Sequence, residues 1–241
     1  MSRRGDAMRT GLRGLGQSLI TIGLVLLLFV VYELEVTNLY TDQQQSQLGR
    51  ELSREWAGPD PSRPVVTNGR PATQGRPATV PMADSLGRAL ARIYLPSLSR
   101  DYVRVVVEGV ATADLKRGPG HYPGTAAPGE TGNTVISGHR TTYGAPFNRL
   151  AELGPGDQVV LETRDSWFTY RVIGLQIVEP TAIAVTYPVP GQLGATPTRH
   201  LLTLTTCNPE YSARQRLVVR AELVATLAKR PGVLPPALAV R

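Results

Sequence analysis

Residues 100–228 consist of short apolar runs separated by glycine and proline, a pattern typical of β-strands joined by turns. The runs are rich in β-branched residues or alternate between apolar and polar residues. The predicted strands cover residues 102–107, 134–136, 158–161, 167–178, 201–206 and 217–223. Six or more strands with little helix between them indicate an antiparallel barrel or sandwich.

Two short helices are predicted beside these strands. Leu86, Leu90 and Ile93 recur at helical spacing, which predicts a helix near residues 84–93. The segment APFNRLAEL, residues 145–153, has a proline near its start and a glycine just beyond its end, as helices commonly do.

The N-terminal pattern is different, because residues 14–32 contain no charged side chain. Nineteen residues are about the length that a helix needs to cross a bilayer. A buried core helix would show a polar stripe, which residues 24–31 lack. A cleaved signal peptide would need a small-residue site, and the flank ELEV at residues 33–36 offers none. We therefore predict an uncleaved transmembrane helix over residues 14–32.

Charges on either side of this helix predict its orientation. Four arginines lie within residues 1–13, and Glu33 and Glu35 follow the helix. Basic flanks stay in the cytoplasm. Residues 1–13 are thus predicted to be a cytoplasmic segment, and the rest of this single-pass plasma-membrane protein is predicted to be extracellular.

The formal net charge of +7 does not indicate a nucleic-acid partner. Three of these charges lie in residues 1–13 and three in residues 229–241, so the middle of the chain carries only +1. A nearly neutral domain lacks the clustered basic face that phosphate binding needs.

Two segments are predicted to be largely disordered. Residues 33–81 include a stretch rich in proline, glycine and arginine that cannot bury much apolar surface, so we predict an extracellular spacer. Residues 229–241 contain three prolines and are predicted to be a disordered tail. The folded domain is then expected over residues 82–228.

Cys207 is the only cysteine of the 241 residues. An extracellular domain normally pairs its cysteines in disulfides, so a single thiol there is either buried and inert or chemically active. Cys207 ends a predicted strand and precedes Asn-Pro, where a substrate can reach it. A buried small hydrophobe remains the alternative interpretation.

A cysteine nucleophile needs nearby cations to stabilise its thiolate. His139 follows a predicted strand in a glycine-flanked loop, where scaffolds present catalytic groups. Arg216 opens the last predicted strand, and its fixed charge suits an oxyanion, although a surface salt bridge is the simpler interpretation for a single arginine. For His121 and His200 we expect structural or solvent-exposed roles.

Three segments in this order resemble the sortases: GHYPGT, GHRTTYGAPF and TLTTCNPEYSARQRLVV. They are similar in particular to class E, the type found in actinobacteria, and the resemblance runs from residue 83 to residue 227. It implies a closed eight-stranded β-barrel and a cysteine transpeptidase, with residues 82–228 as the catalytic domain. The implied roles are Cys207 as nucleophile, His139 as general acid and base, and Arg216 as the group that stabilises the oxyanion.

The same resemblance implies a substrate. Class E sortases cut an LAXTG-type sorting signal between Thr and Gly and join the protein to an amine of a peptidoglycan precursor. Tyr122 of GHYPGT is implied in selecting Ala at the second position of the signal, with Tyr143 as the rival candidate. Thr206 is a third expected substrate-binding residue. Arg214 is the rival of Arg216 but lies outside the QR pair, and neither a cofactor nor a metal is expected.

Two other functions remain open at this stage. A secreted cysteine protease would use the same Cys and His with water as acceptor. A non-catalytic wall-binding module would not need Cys207, His139 and Arg216 to lie together.

Overall fold

The computed structural model of the protein describes residues 2–32, 37–57 and 85–239. The strands are β1 Ala89–Tyr94, β2 Val103–Glu108, β3 Gly120–His121, β4 Gly132–Ser137, β5 Gln158–Glu162, β6 Ser166–Val178, β7 His200–Asn208 and β8 Gln215–Ala228. The α-helices are α1 Ser2–Val31, α2 Thr37–Ala57, α3 Thr112–Leu115 and α4 Pro236–Ala239, and 3-10 helices span Leu150–Glu152 and Ile183–Thr186.

The eight strands form a closed barrel in the order β1-β2-β3-β4-β7-β8-β6-β5, with β5 pairing back onto β1. This confirms the closed eight-stranded barrel. The expectation of a purely antiparallel sheet is wrong, since β2 with β3 and β4 with β7 are parallel. Parallel neighbours require a long connection, and β5 and β6 lie within the connection from β4 to β7.

Apolar side chains at alternate positions of the strands fill the barrel interior. Ile136 of β4, Leu202 and Leu204 of β7, and Leu217 and Val219 of β8 all belong to one buried apolar cluster. Side chains one position away point to the outside of the barrel. Polar side chains that act on a substrate are therefore expected on the outer face of each strand.

The predicted helix near residues 84–93 is wrong, because Ala89–Tyr94 is strand β1. Ala91 and Ile93 alternate into the core, and pairing with β2 and β5 outweighs the helical spacing of Leu86 and Leu90. Leu86 is in fact exposed.

The predicted helix over residues 145–153 is also largely wrong, since only Leu150–Glu152 is helical and it is a 3-10 helix. Phe147, Leu150 and Leu153 are all buried. Their spacing of three matches a 3-10 helix, whose residues i and i+3 align, better than an α-helix.

The predicted disordered spacer over residues 33–81 is wrong over Thr37–Ala57, which forms helix α2 on the outside of the barrel. Leu48 and Leu52, four residues apart, pack against Val105 and Val107 of β2. The polar side chain of Gln45 donates to Val105 O at 3.0 Å and accepts from Val105 N at 2.7 Å. Residues 58–84, with the rest of the predicted spacer, lie outside the described residues.

The predicted disorder of residues 229–241 is wrong for the described residues 229–239. Lys229 Nζ donates to Glu162 Oε1 at 2.7 Å and lies 4.0 Å from the ring of Trp56 on α2. Arg230 and Val233 form a β-bridge, and α4 follows. The ordered part of the chain therefore continues beyond the last barrel strand.

Helix α1 contains one segment, Arg13–Val31, that is long and apolar enough to cross a membrane by length and composition. The rest of the described chain buries none of it. This agrees with a membrane helix close to the predicted residues 14–32.

If α2 belongs to the folded domain, Leu48→Ala should lower the free energy of unfolding by about 2–5 kcal/mol, because it leaves a cavity between α2 and β2. The matched control is Leu39→Ala on the same helix. Leu39 is 65% exposed, so its truncation should change stability by no more than about 0.5 kcal/mol. Urea unfolding of the full chain measures both, and equal effects would contradict the packing of α2.

Candidate active site

Strand β7 lies between β4 and β8, and the ends of these three strands bring together the predicted polar residues. β4 runs parallel to β7, so their carboxyl ends meet at one edge of the barrel. β8 is antiparallel to β7, so its first residues lie at the same edge.

Cys207 and Arg216 are direct partners across β7 and β8. Opposite residues of an antiparallel pair share a face, with Cβ atoms ~5 Å apart. That face is the outside of the barrel, because the neighbouring Leu217 points into the core. Both residues are half-buried, and Arg216 Nη1 donates to the carbonyl oxygens of Ala213 and Gln215 at 2.9 Å.

His139 lies beside Cys207 because of the register of the parallel pair. Ser137 is the partner of Thr205, and Gly138 N donates to Thr205 O at 3.1 Å, so two more residues bring His139 level with Cys207. Gly138 is required here, since a Cβ would lie 2.7 Å from the ring of the buried Phe147. Phe147 N in turn donates to His139 O at 3.0 Å, which closes the loop after β4.

The environment of His139 favours the neutral imidazole. Burial lowers the pKa of His139 below its ordinary value, and the positive charge of Lys116 lowers it further. The Nε2 atom is buried without a hydrogen-bond partner in the described part of the chain. A neutral imidazole with a free ring nitrogen can accept a proton from a thiol and later donate it to a leaving amine.

Arg140 is a site residue that the sequence analysis missed. Its Nη1 atom donates to Cys207 O at 3.1 Å and to Asn208 Oδ1 at 2.7 Å. The side chain thus ties the residue after His139 to Cys207 and to the residue that follows it. The available signal was the pair of polar residues directly after His139 and Cys207.

Two other predicted site residues hold this region together. The buried hydroxyl of Thr206 donates to Gly138 O at 2.8 Å, so it ties β7 to the segment that carries His139. The ring of Tyr143 lies 5.1 Å from the ring of His139, measured between centroids. Lys116 Nζ lies 5.3 Å from the same tyrosine ring.

Tyr122 lies further along the outer face of β4. Its backbone N donates to Val135 O at 2.9 Å, one position after the paired residues His121 and Ile136. Ile136 points into the core, so by alternation Tyr122 faces outwards. Val135 precedes His139 by four residues, which places Tyr122 ~13 Å along the strand from the histidine.

A groove of about 230 Å³ lies on the outer face at the other end of β7. Its lining includes Ile173, Pro188, Val189, Pro190, Leu201 and Thr203. Thr203 and Cys207 are four residues apart and share a face, so the groove lies ~13 Å from the thiol. Asn133 fixes its wall, because Nδ2 donates to Val185 O at 3.0 Å and to Tyr187 O at 3.1 Å.

Comparison with known proteins decides the family. Residues 93–224 match the sortase domain. Over 239 residues the chain is 33% identical to sortase E1 of Streptomyces coelicolor, an alignment that covers 96% of this chain and 62% of that protein. The chain belongs to the sortase family. Sortases are cysteine transpeptidases.

Solved class E sortases resemble this sortase in structure as well. Sortase E of Streptomyces avermitilis is 41% identical, with a TM-score of 0.57 over 64% of this chain and 98% of that one. Sortase E1 of S. coelicolor, solved with a tripeptide in the active site, is 34% identical with a TM-score of 0.58 over the same shares.

The remaining histidines of this sortase have structural surroundings, as expected. His121 is buried, and its Nδ1 lies 2.7 Å from Glu108 Oε2 while Nε2 lies 3.0 Å from Thr125 Oγ1. His200 Nδ1 lies 2.9 Å from Gly129 O. Each ring therefore ties a strand to the loop between β3 and β4.

Lys116→Gln should raise the pKa of His139, because it removes a positive charge that disfavours the imidazolium. NMR titration of the His139 ring in the full chain measures the midpoint. Lys229→Gln is the matched control, since Lys229 pairs with Glu162 in a different cluster and should leave the midpoint unchanged. A downward shift in Lys116→Gln would contradict the assigned charge effect.

Proposed function

We propose that this sortase is a membrane-anchored transpeptidase that cleaves an LAXTG-type sorting signal between Thr and Gly and joins the protein to a peptidoglycan amine. The observation that carries the proposal is the alignment of Cys207 with Arg216 and His139 at one edge of the barrel. A non-catalytic binding module has no need for this arrangement.

In the proposed reaction, the neutral imidazole of His139 accepts the proton of the Cys207 thiol. The thiolate attacks the Thr carbonyl carbon, and the resulting oxyanion is stabilised by the guanidinium of Arg216. When the C–N bond breaks, the imidazolium gives its proton to the Gly amine, which leaves. An incoming amine then attacks the thioester and gives a proton to His139, the C–S bond breaks to release the Cys207 thiolate, and the imidazolium returns the proton to that thiolate.

Thr206 does not contact the substrate in this proposal. Its hydroxyl already bonds to Gly138, so it acts by holding the segment that carries His139. Arg140 has the same kind of role from the other side of Cys207.

The apolar groove on the outer face at the other end of β7 suits the leucine of the sorting signal. In an extended peptide the leucine precedes the threonine by three residues, or ~10 Å. With Thr at Cys207, the leucine side chain reaches the apolar wall of Pro188, Val189 and Pro190. The tripeptide in the active site of the S. coelicolor enzyme supports peptide binding by this family.

The acceptor in this proposal is a membrane-linked precursor. Residues 1–13 lie in the cytoplasm, α1 crosses the membrane, and the barrel is extracellular. Asn38 follows Tyr32 by six residues, which span at most ~22 Å, and Asn38 contacts the loop after His139. The active site then lies close to the outer surface of the membrane, where a lipid-linked amine is available.

A protease would use the same groups with water as acceptor, and the test separates the two. The full chain in detergent is incubated with an LAXTG peptide, with and without an amine such as diglycine. Mass spectrometry should detect the amide of the acceptor as the main product when amine is present. Hydrolysed peptide alone, at saturating amine, would indicate a protease.

Cys207→Ala should abolish cleavage and His139→Ala should nearly do so. Arg216→Lys should lower kcat/KM by about a hundredfold or more, because a point charge does not replace a planar set of donors. The control is Arg214→Lys, an exposed arginine two positions away, which should retain its rate. Thermal unfolding should be similar for all four proteins. Substantial cleavage by Cys207→Ala would exclude the covalent mechanism.

Tyr122→Phe tests the selection of Ala at the second position of the signal. Ala has a backbone N–H and Pro has none, so a hydroxyl that pairs with this group rewards Ala by ~1–3 kcal/mol, or about ten- to a hundredfold. We expect wild type to prefer LAXTG over LPXTG peptides and Tyr122→Phe to reduce the preference by slowing the Ala peptide. Ratios of kcat/KM measure this, with Tyr143→Phe as the rival variant. An unchanged ratio would leave Tyr122 with a structural role.

A further inference from the structure

Helix α2 contacts the active-site loop at its N-terminal end. Asn38 Oδ1 accepts a hydrogen bond from Gly144 N at 2.8 Å. One turn later, the buried Thr41 donates to Lys116 O at 3.0 Å. Thr41 also packs against the same glycine, since a Cβ at Gly144 would lie 3.1 Å from Thr41 Cγ2.

The loop segment that α2 contacts has an unfavourable backbone conformation. Tyr143, Gly144 and Ala145 have φ values of 52°, 72° and 40°. Residues other than glycine rarely adopt positive φ. Such a conformation persists only where the surroundings hold it. Asn38 supplies a hydrogen bond to the central residue of this turn.

Two contacts connect the turn to His139. The ring of Tyr143, the first residue of the turn, packs on the His139 ring with a centroid separation of 5.1 Å. Lys116, whose carbonyl accepts from Thr41, lies with its Nζ atom 5.3 Å from the ring of Tyr143. Both groups beside the histidine are therefore attached to α2.

We propose that α2 positions the catalytic histidine: Asn38 and Thr41 fix the 143–145 turn and Lys116 so that Tyr143 holds the His139 ring in its reactive orientation. This inference rests on the proposed function. It gives the helix next to the membrane segment a part in the chemistry, beyond the stability that Leu48 and Leu52 contribute.

Two sets of α2 contacts lie far enough apart along the helix to be tested separately. The apolar contacts of Leu48 and Leu52 lie towards its C-terminal end and face β2. The contacts with the loop lie in the first turn and a half. Removing Asn38 Oδ1 disturbs the second group and leaves the first intact.

The experiment compares three variants of the full chain in detergent. Asn38→Ala should lower kcat for an LAXTG peptide by about ten- to a hundredfold with KM nearly unchanged, because a small displacement of a proton-transfer group has effects of that size. Asn38→Asp should recover most of the rate, since its carboxylate can accept the Gly144 N–H. Ser53→Ala, at the other end of α2, removes a hydrogen bond from Arg92 and should keep the wild-type rate.

Far-UV circular dichroism and thermal unfolding of each variant give the fraction of folded protein, so loss of folded protein is separated from a slower reaction. An unchanged kcat in Asn38→Ala, a loss that Asn38→Asp does not recover, or a loss due only to less folded protein would overturn the inference. Cys207→Ala, run in parallel, tests the proposed function separately. If Cys207→Ala is inactive and Asn38→Ala is normal, the role of α2 alone is refuted.

Discussion

The register of β7 against its two neighbours is the constraint on which the candidate active site depends. Parallel pairing with β4 brings His139 level with Cys207, and antiparallel pairing with β8 sets Arg216 opposite Cys207. A slip of one residue would turn the thiol into the barrel, because side chains alternate between faces. Buried Leu202 and Leu204, which must face inwards, fix that register.

Hydrogen bonds of two polar side chains then hold His139 and Cys207 in the positions that the register gives them. Thr206 joins β7 to Gly138 from inside the barrel, and Arg140 joins the loop after β4 to Cys207 O from outside. Each bond lies within one or two residues of His139 or Cys207. The proposed catalytic groups are thus held from two sides, which suits the positioning that proton transfer needs.

The charged side chains named around Cys207 and His139 are all positive. Arg216 and Arg140 are fixed cations close to Cys207, and Lys116 lowers the pKa of His139. Burial also favours the neutral imidazole of His139. In the proposed reaction these positive surroundings would stabilise the oxyanion that forms on the Thr carbonyl.

The sequence by itself determined six of the eight strands, the apolar N-terminal helix and the motifs around His139, Cys207 and Arg216, because periodicity and turn residues act between near neighbours in the chain. The tertiary structure decided what lies together across the barrel. The contact of Arg140 with Cys207 exists only because β4 lies beside β7. Helix α2 is likewise held in place only because its few apolar residues pack against β2. Asn38 and Gly144 are 106 positions apart, and local sequence patterns contain no information about a hydrogen bond over that separation.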